Sequence, residues 1–235
     1  MNIILPSSWQ ELTDAQLEYV LYLLANDYDA DTLRAYCFVR FSGIDPQKTD
    51  PVQVAELLPV LDFLTVPPDV PVRPETVGKR CKARYDTECR GMTFDTWLAL
   101  CNWHTGFLHT RRPDTAQAMA ELLYEGSDPL ASVAAVWWFT GLKAQVARRF
   151  PKLFRSAGVP ARDKDTASEE TCAPGDTCAP DAQTLQRLMD VQIRALTGGD
   201  VTKTQAVLKT DYLYCLTELN AKAGEAEEMQ KIMKR

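Results

Sequence analysis

The chain has no apolar run long enough to cross a bilayer. Its most hydrophobic stretch, Leu130 to Leu142, carries Ser132 and Thr140 and falls short of the roughly 20 residues a membrane helix needs. A buried helix is expected there instead. The opening residues Met1-Asn2-Ile3-Ile4-Leu5-Pro6 offer neither a basic leader nor a long apolar stretch, so neither a secretory signal nor a membrane partner is expected. Histidine is scarce, at two residues, and neither has a Ser, Cys or carboxylate at motif spacing. No phosphate-cradling glycine loop, dinucleotide fingerprint or HExxH is present. These absences predict a protein that is not an enzyme and carries no cofactor. Excess positive charge is missing too. The net charge of -6 disfavours a general nucleic-acid binder, because neutralising phosphates needs surplus Lys and Arg on at least one face. The seven cysteines, at 37, 81, 89, 101, 172, 178 and 215, are odd in number and lack a tight framework. Several fall at apolar helical positions, where a free thiol acts as a small hydrophobe, which points to a reducing cytosol.

What is there is helical periodicity. Thr13 to Gln16 has capping-box form, and Leu17, Val20, Leu21 and Leu24 follow on one stripe. A second helix places Leu33, Tyr36, Cys37 and Phe41 on one face and ends near Gly43, where positive φ costs nothing. Asp50-Pro51 opens a third, with Val54, Leu57, Leu58 and Leu61 at helical spacing. Pro59 predicts a break near Leu58, since proline has no donor and its ring clashes with the preceding turn. Thr93 caps a helix whose stripe is Phe94, Trp97, Leu98 and Cys101. Pro113-Asp114 opens a short helix with Ala116, Met119, Ala120 and Leu123, closed by Gly126. From Asp128-Pro129, the residues Leu130, Val133, Ala134, Trp137, Trp138 and Phe139 leave no polar face, so that helix is expected at the centre.

Two stretches break the pattern. From Val66 to Met92 the prolines at 67, 68, 71 and 74 favour extended geometry, and a small hairpin is expected within 77 to 92 because long structureless connections are rare inside a compact domain. Residues 156 to 183 read as a disordered linker, rich in Ala, Asp, Pro, Thr and Gly, with Thr-Cys-Ala-Pro at 171 to 174 and again at 177 to 180. Such a composition buries too little surface to offset chain entropy. The expected organisation is therefore all-α. Residues 1–155 form a helical bundle with a small β-hairpin, 156–183 a linker, and 184–235 a C-terminal helical hairpin turning at Gly198-Gly199. The stripe Leu185, Leu188, Met189, Ile193 and Leu196 is expected to bury against Tyr212, Leu216 and Leu219.

Four constellations could carry chemistry. Cys81, Cys89, Cys101 and His104 are the one set resembling zinc ligands, but only Cys101 and His104 stand at the close spacing structural zinc sites use. Cys101 also fits the Trp97 core stripe, so no metal ligand is assigned. Cys172 and Cys178 read as free thiols in a duplicated spacer. Lys79, Arg80, Lys82, Arg84 and Arg90, interleaved with Tyr85, could track a phosphate backbone with the tyrosine stacking on a base. In an acidic chain they read first as a solvated loop. Trp137 and Trp138 read as core. Glu225, Glu227 and Glu228 precede Lys231, Lys234 and Arg235, in the order a helix favours. With Met229, Ile232 and Met233 as its few apolar residues, that last helix gains little by folding back and could dock elsewhere.

Leu5-Pro6-Ser7-Ser8-Trp9-Gln10-Glu11-Leu12-Thr13, Trp138-Phe139-Thr140-Gly141-Leu142-Lys143 with Phe150-Pro151-Lys152-Leu153-Phe154, Leu196-Thr197-Gly198-Gly199-Asp200 and Leu216-Thr217-Glu218-Leu219-Asn220 together resemble proteins encoded in tailed-phage and prophage gene clusters of gut anaerobes. The resemblance implies a role in virion morphogenesis in the cytoplasm of a bacterial host, as a tail-assembly chaperone binding another phage tail or virion component. It supplies no catalytic, cofactor-binding or metal residues. The alternative left by the residues themselves is a nucleic-acid-binding protein using the loop 79–90.

Overall fold

The computed structural model describes residues 4–43, 51–78, 80–155 and 182–233. It is mostly helical, with one small antiparallel sheet. The chain divides into two compact units, one holding Met1–Arg90 and Trp103–Val146, the other Gly91–Asn102 and Ala147–Arg235. The expected linker 156–183 lies outside the described residues but for its last two, 182 and 183, which begin a helix.

In the first unit, α1 (Asp14–Ala25) starts on the expected capping box. Gln16 N–H donates to Thr13 Oγ1 at 3.3 Å while Thr13 N–H donates to Gln16 Oε1 at 2.9 Å, so two otherwise orphaned donors satisfy each other's side chains. Helix α2 (Ala30–Ser42) is capped by Asp29, whose carboxylate accepts from the N–H groups of Asp31 and Thr32, and it closes on Gly43 at φ 66°. Its buried residues are Leu33, Cys37 and Phe38; Tyr36 is exposed and Phe41 half-buried. The apolar face is thus rotated from the expected one. Helix α3 (Pro51–Leu57) stops two residues before Pro59 and continues as a 3₁₀ segment, Leu58–Thr65. There the tighter turn tolerates the missing donor, and Leu61 and Leu64 are buried.

The hairpin forms where it was expected, one residue early. Strand β1 (Thr76–Val77) pairs antiparallel with β2 (Cys81–Ala83), Val77 opposite Cys81. A third strand, β3 (Tyr124–Glu125), covers the other edge of β2, with Ala83 opposite Tyr124. The sequence places these two residues at the end of a helix. That helix, α5 (Pro113–Leu123), ends just before them because Tyr124 is extended at φ -124° and ψ 151°. Strand pairing with β2 satisfies the backbone that another turn would have used. Gly126, at φ 95°, then turns the chain so tightly that a Cβ would lie 2.9 Å from the Arg80 carbonyl oxygen.

Helix α6 (Pro129–Arg149) supplies the core of this unit. Ala134, Ala135, Trp138, Phe139 and Leu142 are buried along it, whereas Val133 and Trp137 are half-buried. Trp138 Nε1 donates to the Thr87 carbonyl at 2.8 Å, giving the buried indole its acceptor. Trp137 lies against Trp9 with ring centroids 5.3 Å apart, and Trp9 Nε1 donates to the Val66 carbonyl. The proline-rich segment is held as closely. A Cβ on Gly141 would meet the Val70 carbonyl oxygen at 2.0 Å, so glycine is required for the backbone at 70–71 to lie on the helix.

In the second unit, Phe94 N–H donates to the Thr210 carbonyl and Tyr212 N–H to the Met92 carbonyl, making a two-residue bridge between Thr93 and Asp211. Residues 94–102 are the first part of α4 (Phe94–Thr110), and Trp97 stacks on Tyr212 with centroids 5.0 Å apart. Helix α7 (Pro151–Arg155) begins with the N–H groups of Lys152 and Leu153 both donating to Asn220 Oδ1. After α8 (Ala182–Thr197) and the short α9 (Thr204–Leu208), Asn220 stands on α10 (Tyr212–Met233), which packs on α7 and on α8. The C-terminal residues 184–235 therefore share their unit with 91–102 and 147–155. Tyr212, Leu216 and Leu219 are buried as expected, but Leu188 is exposed and Met189, Ile193 and Leu196 only half-buried. The start of α10 turns its apolar side chains to Trp97 rather than giving them all to α8. Leu185 lies outside the described side chains.

Candidate functional site

The zinc-like set does not come together. Among the described residues no group of three or more His, Cys, Asp or Glu converges to hold a metal ion. Cys81 and Cys89 are fully buried. Burial pushes the Cys89 thiol well up, with Asp86 adding to the effect and Arg73 opposing it, and burial likewise raises Cys81. Both stay protonated at neutral pH, whereas a zinc ligand must be a thiolate. Cys37 is pushed up to about 12 and Cys215 to about 11 by the same cause. Cys172 and Cys178 lie outside the described residues.

His104 is 3 % exposed and sits in the first unit with its ring edge-on to Phe139. Its Nε2 is 2.9 Å from Thr140 Oγ1. The Thr140 hydroxyl donates its one proton to the Val136 carbonyl at 2.7 Å, so Nε2 must carry the imidazole proton and Nδ1 is left as a bare, buried acceptor. No described residue donates to it. Burial, with the Lys143 ammonium adding to it, pushes the imidazole down to about 3. A side chain locked neutral at every ordinary pH cannot exchange protons with a substrate.

The basic loop is partly spent on its own fold. Arg80 and Lys82 are exposed, but Arg84 Nε donates to the Tyr124 carbonyl at 3.0 Å and Arg90 pairs with Glu88 and Asp86. Lys79 lies outside the described residues. A phosphate-tracking surface needs free cations in a row, and among its described residues this loop offers Arg80 and Lys82.

Around Trp138 the structure gathers polar groups that sequence reasoning missed. The Arg73 guanidinium carbon stands 5.2 Å from the indole centroid, and Tyr124 meets the same ring edge-on. Arg73 Nε, Tyr124 Oη and Gln145 Oε1 are buried with no partner among the described residues. Burial raises the Tyr124 phenol, with Cys89 and Cys81 reinforcing the rise and Arg73 opposing it. Arg73 lies within the proline-rich segment and Tyr124 in a strand read as helix, so no spacing rule linked them.

What remains accessible is apolar and aromatic. On the last turns of α10, Met229, Ile232 and Met233 are 62 %, 72 % and 79 % exposed. On the first unit, Tyr22, Tyr28 and Tyr36 are exposed, and Tyr19 is half-buried beneath the Arg40 guanidinium, 5.7 Å from its ring centroid. No spacing in the sequence singled out this face, since Tyr36 fell on the apolar stripe with Leu33 and Cys37. No helix among the described residues is long and apolar enough to cross a membrane. No protein-family model, curated protein or solved structure matches the chain.

Proposed function

We propose that this chain is a non-enzymatic interaction protein that holds another protein through the free end of α10. The observation that carries the reading is the exposure of Met229, Ile232 and Met233 together, on a helix end whose charged residues are Glu225, Glu227, Glu228 and Lys231. An amphipathic helix end of this kind fits an apolar groove on a partner, with the charges forming a polar rim. Methionine suits such a surface because its flexible thioether adapts to irregular pockets. Among described side chains, the buried titratable groups are held neutral and away from solvent, which supports binding over catalysis.

The specific form of the proposal, a tail-assembly chaperone acting in the cytoplasm of a bacterial host, rests on the sequence resemblance. Its partner is then a phage tail or virion component. Co-expression with the products of neighbouring genes tests both levels. The expected outcome is co-purification of one such product with the full chain and its loss when Met229, Ile232 and Met233 are all changed to Ser. Capture that survives the triple change would sink the α10 surface, and a bound partner that is not a structural protein would sink the assembly role.

A further inference from the structure

Half of the chain's eight tyrosines lie between positions 19 and 36, and three of them, Tyr19, Tyr28 and Tyr36, gather on the α1–α2 pair. Tyr19 and Tyr22 are one turn apart on the side of α1 away from Leu17 and Leu21. Tyr28, between the helices, meets Tyr36 edge-on with centroids 5.5 Å apart. The Tyr19 phenol is raised by burial and feels Cys37, Arg40, Tyr36 and Tyr28, which joins these side chains into one cluster. Val39 is exposed beside them. Tyrosine and arginine are the residues that carry most binding energy at protein interfaces, and large aromatic area is costly to leave in water.

The charges on this face decide its occupant. At the C-terminal end of the strip, Arg40 is exposed, lies over the Tyr19 ring and makes no ion pair with any described residue. At the other end, Asp27 is exposed and makes no ion pair with any described residue. It is held out by an αL backbone at φ 55°. The neighbouring acids are already engaged, Asp29 in capping α2 and Asp31 with Arg34. A cation and an anion, neither ion-paired with any described residue, thus stand at opposite ends of an aromatic strip roughly 15 Å long, by the rise along α2. Such a strip is complementary to itself when turned end for end. A two-fold axis through its middle sets each Arg40 against Asp27 of the second copy and the tyrosines against each other.

The geometry points to a homodimer formed through Tyr28, Tyr36 and Val39, with Arg40 and Asp27 pairing across the two-fold axis. This surface is separate in the sequence from the α10 end, so the two readings stand or fall independently. The experiment is sedimentation equilibrium of the full chain and of Arg40→Glu, Asp27→Arg and the double variant. The wild type is expected to self-associate, and each single reversal to weaken the dimer by roughly tenfold or more, because symmetry counts each contact twice. The double variant is expected to recover the wild-type constant. Tyr36→Ser, on an exposed side chain, is expected to weaken the dimer with an unchanged circular dichroism spectrum. A wild type that stays monomeric, a dimer indifferent to either reversal, or a double variant that fails to recover overturns the proposal.

Discussion

His104 gives the fold a pH dependence whose size follows from its surroundings. In the unfolded chain an imidazole titrates near 6.5, whereas in the folded chain burial and Lys143 hold it at about 3. The folded value is depressed, so the stabilisation is complete above about 6.5. It is lost progressively as the pH falls toward 3, because the unfolded state takes up a proton that the folded state refuses. Each pH unit in that window costs about 1.4 kcal/mol, and the fall from 6.5 to 5.0 about 2 kcal/mol. For a chain of this length that corresponds to a melting point lower by roughly 4 to 8 °C. Most carboxylates remain ionised above pH 5, which leaves this part of the window to histidine. The assay is thermal and urea unfolding between pH 7.5 and 5.0 for the wild type and His104→Gln, with His109 retained in both. The wild type should lose stability steeply below pH 6.5 and the variant should not. Parallel slopes in the two proteins would refute both the neutral tautomer and the packing that enforces it.

Gly141→Ala tests the close approach of the proline-rich segment. Alanine favours the helix by about 1 kcal/mol, but its Cβ would stand 2.0 Å from the Val70 carbonyl oxygen, so a net loss of about 2 kcal/mol is expected in urea unfolding; a stabilised variant would show that 70–71 does not lie on α6. A fragment of residues 182–235 should give no cooperative melt by circular dichroism, because Tyr212 loses Trp97 and Asn220 loses the N–H groups of Lys152 and Leu153; a cooperative helical transition would establish it as an autonomous module.

The elements that the sequence revealed are those whose cause is local. The capping box at Thr13, the Gly43 cap, and the change of helix type before Pro59 each depend on residues within one turn of each other, and local chemistry is what spacing records. The hairpin at 76–83 was legible through the prolines and the loss of helical period, because a long structureless connection is rare inside a compact domain. The third strand was not. Tyr124 continues the helical pattern of α5, and it is extended because β2, forty residues earlier, offers an edge; pairing of that kind leaves no trace at the pairing residue.

The same distinction explains the two proposed surfaces. Apolar spacing placed Tyr36 with Leu33 and Cys37, since a tyrosine counts as core by hydrophobicity alone. Yet α2 buries Phe38 instead, because the 3₁₀ segment Leu58–Thr65 packs on that side of it. A partner element far along the chain thus decides which aromatic residues reach solvent, and the exposed ones become visible only once the core is filled. The end of α10 is the opposite case. Its few apolar residues among many charges already implied that no core would claim them, and Met229, Ile232 and Met233 are exposed. Exposure forced by composition is readable from sequence, whereas exposure left over from packing requires the fold. That is why the α10 surface could be named from the sequence and the tyrosine surface could not.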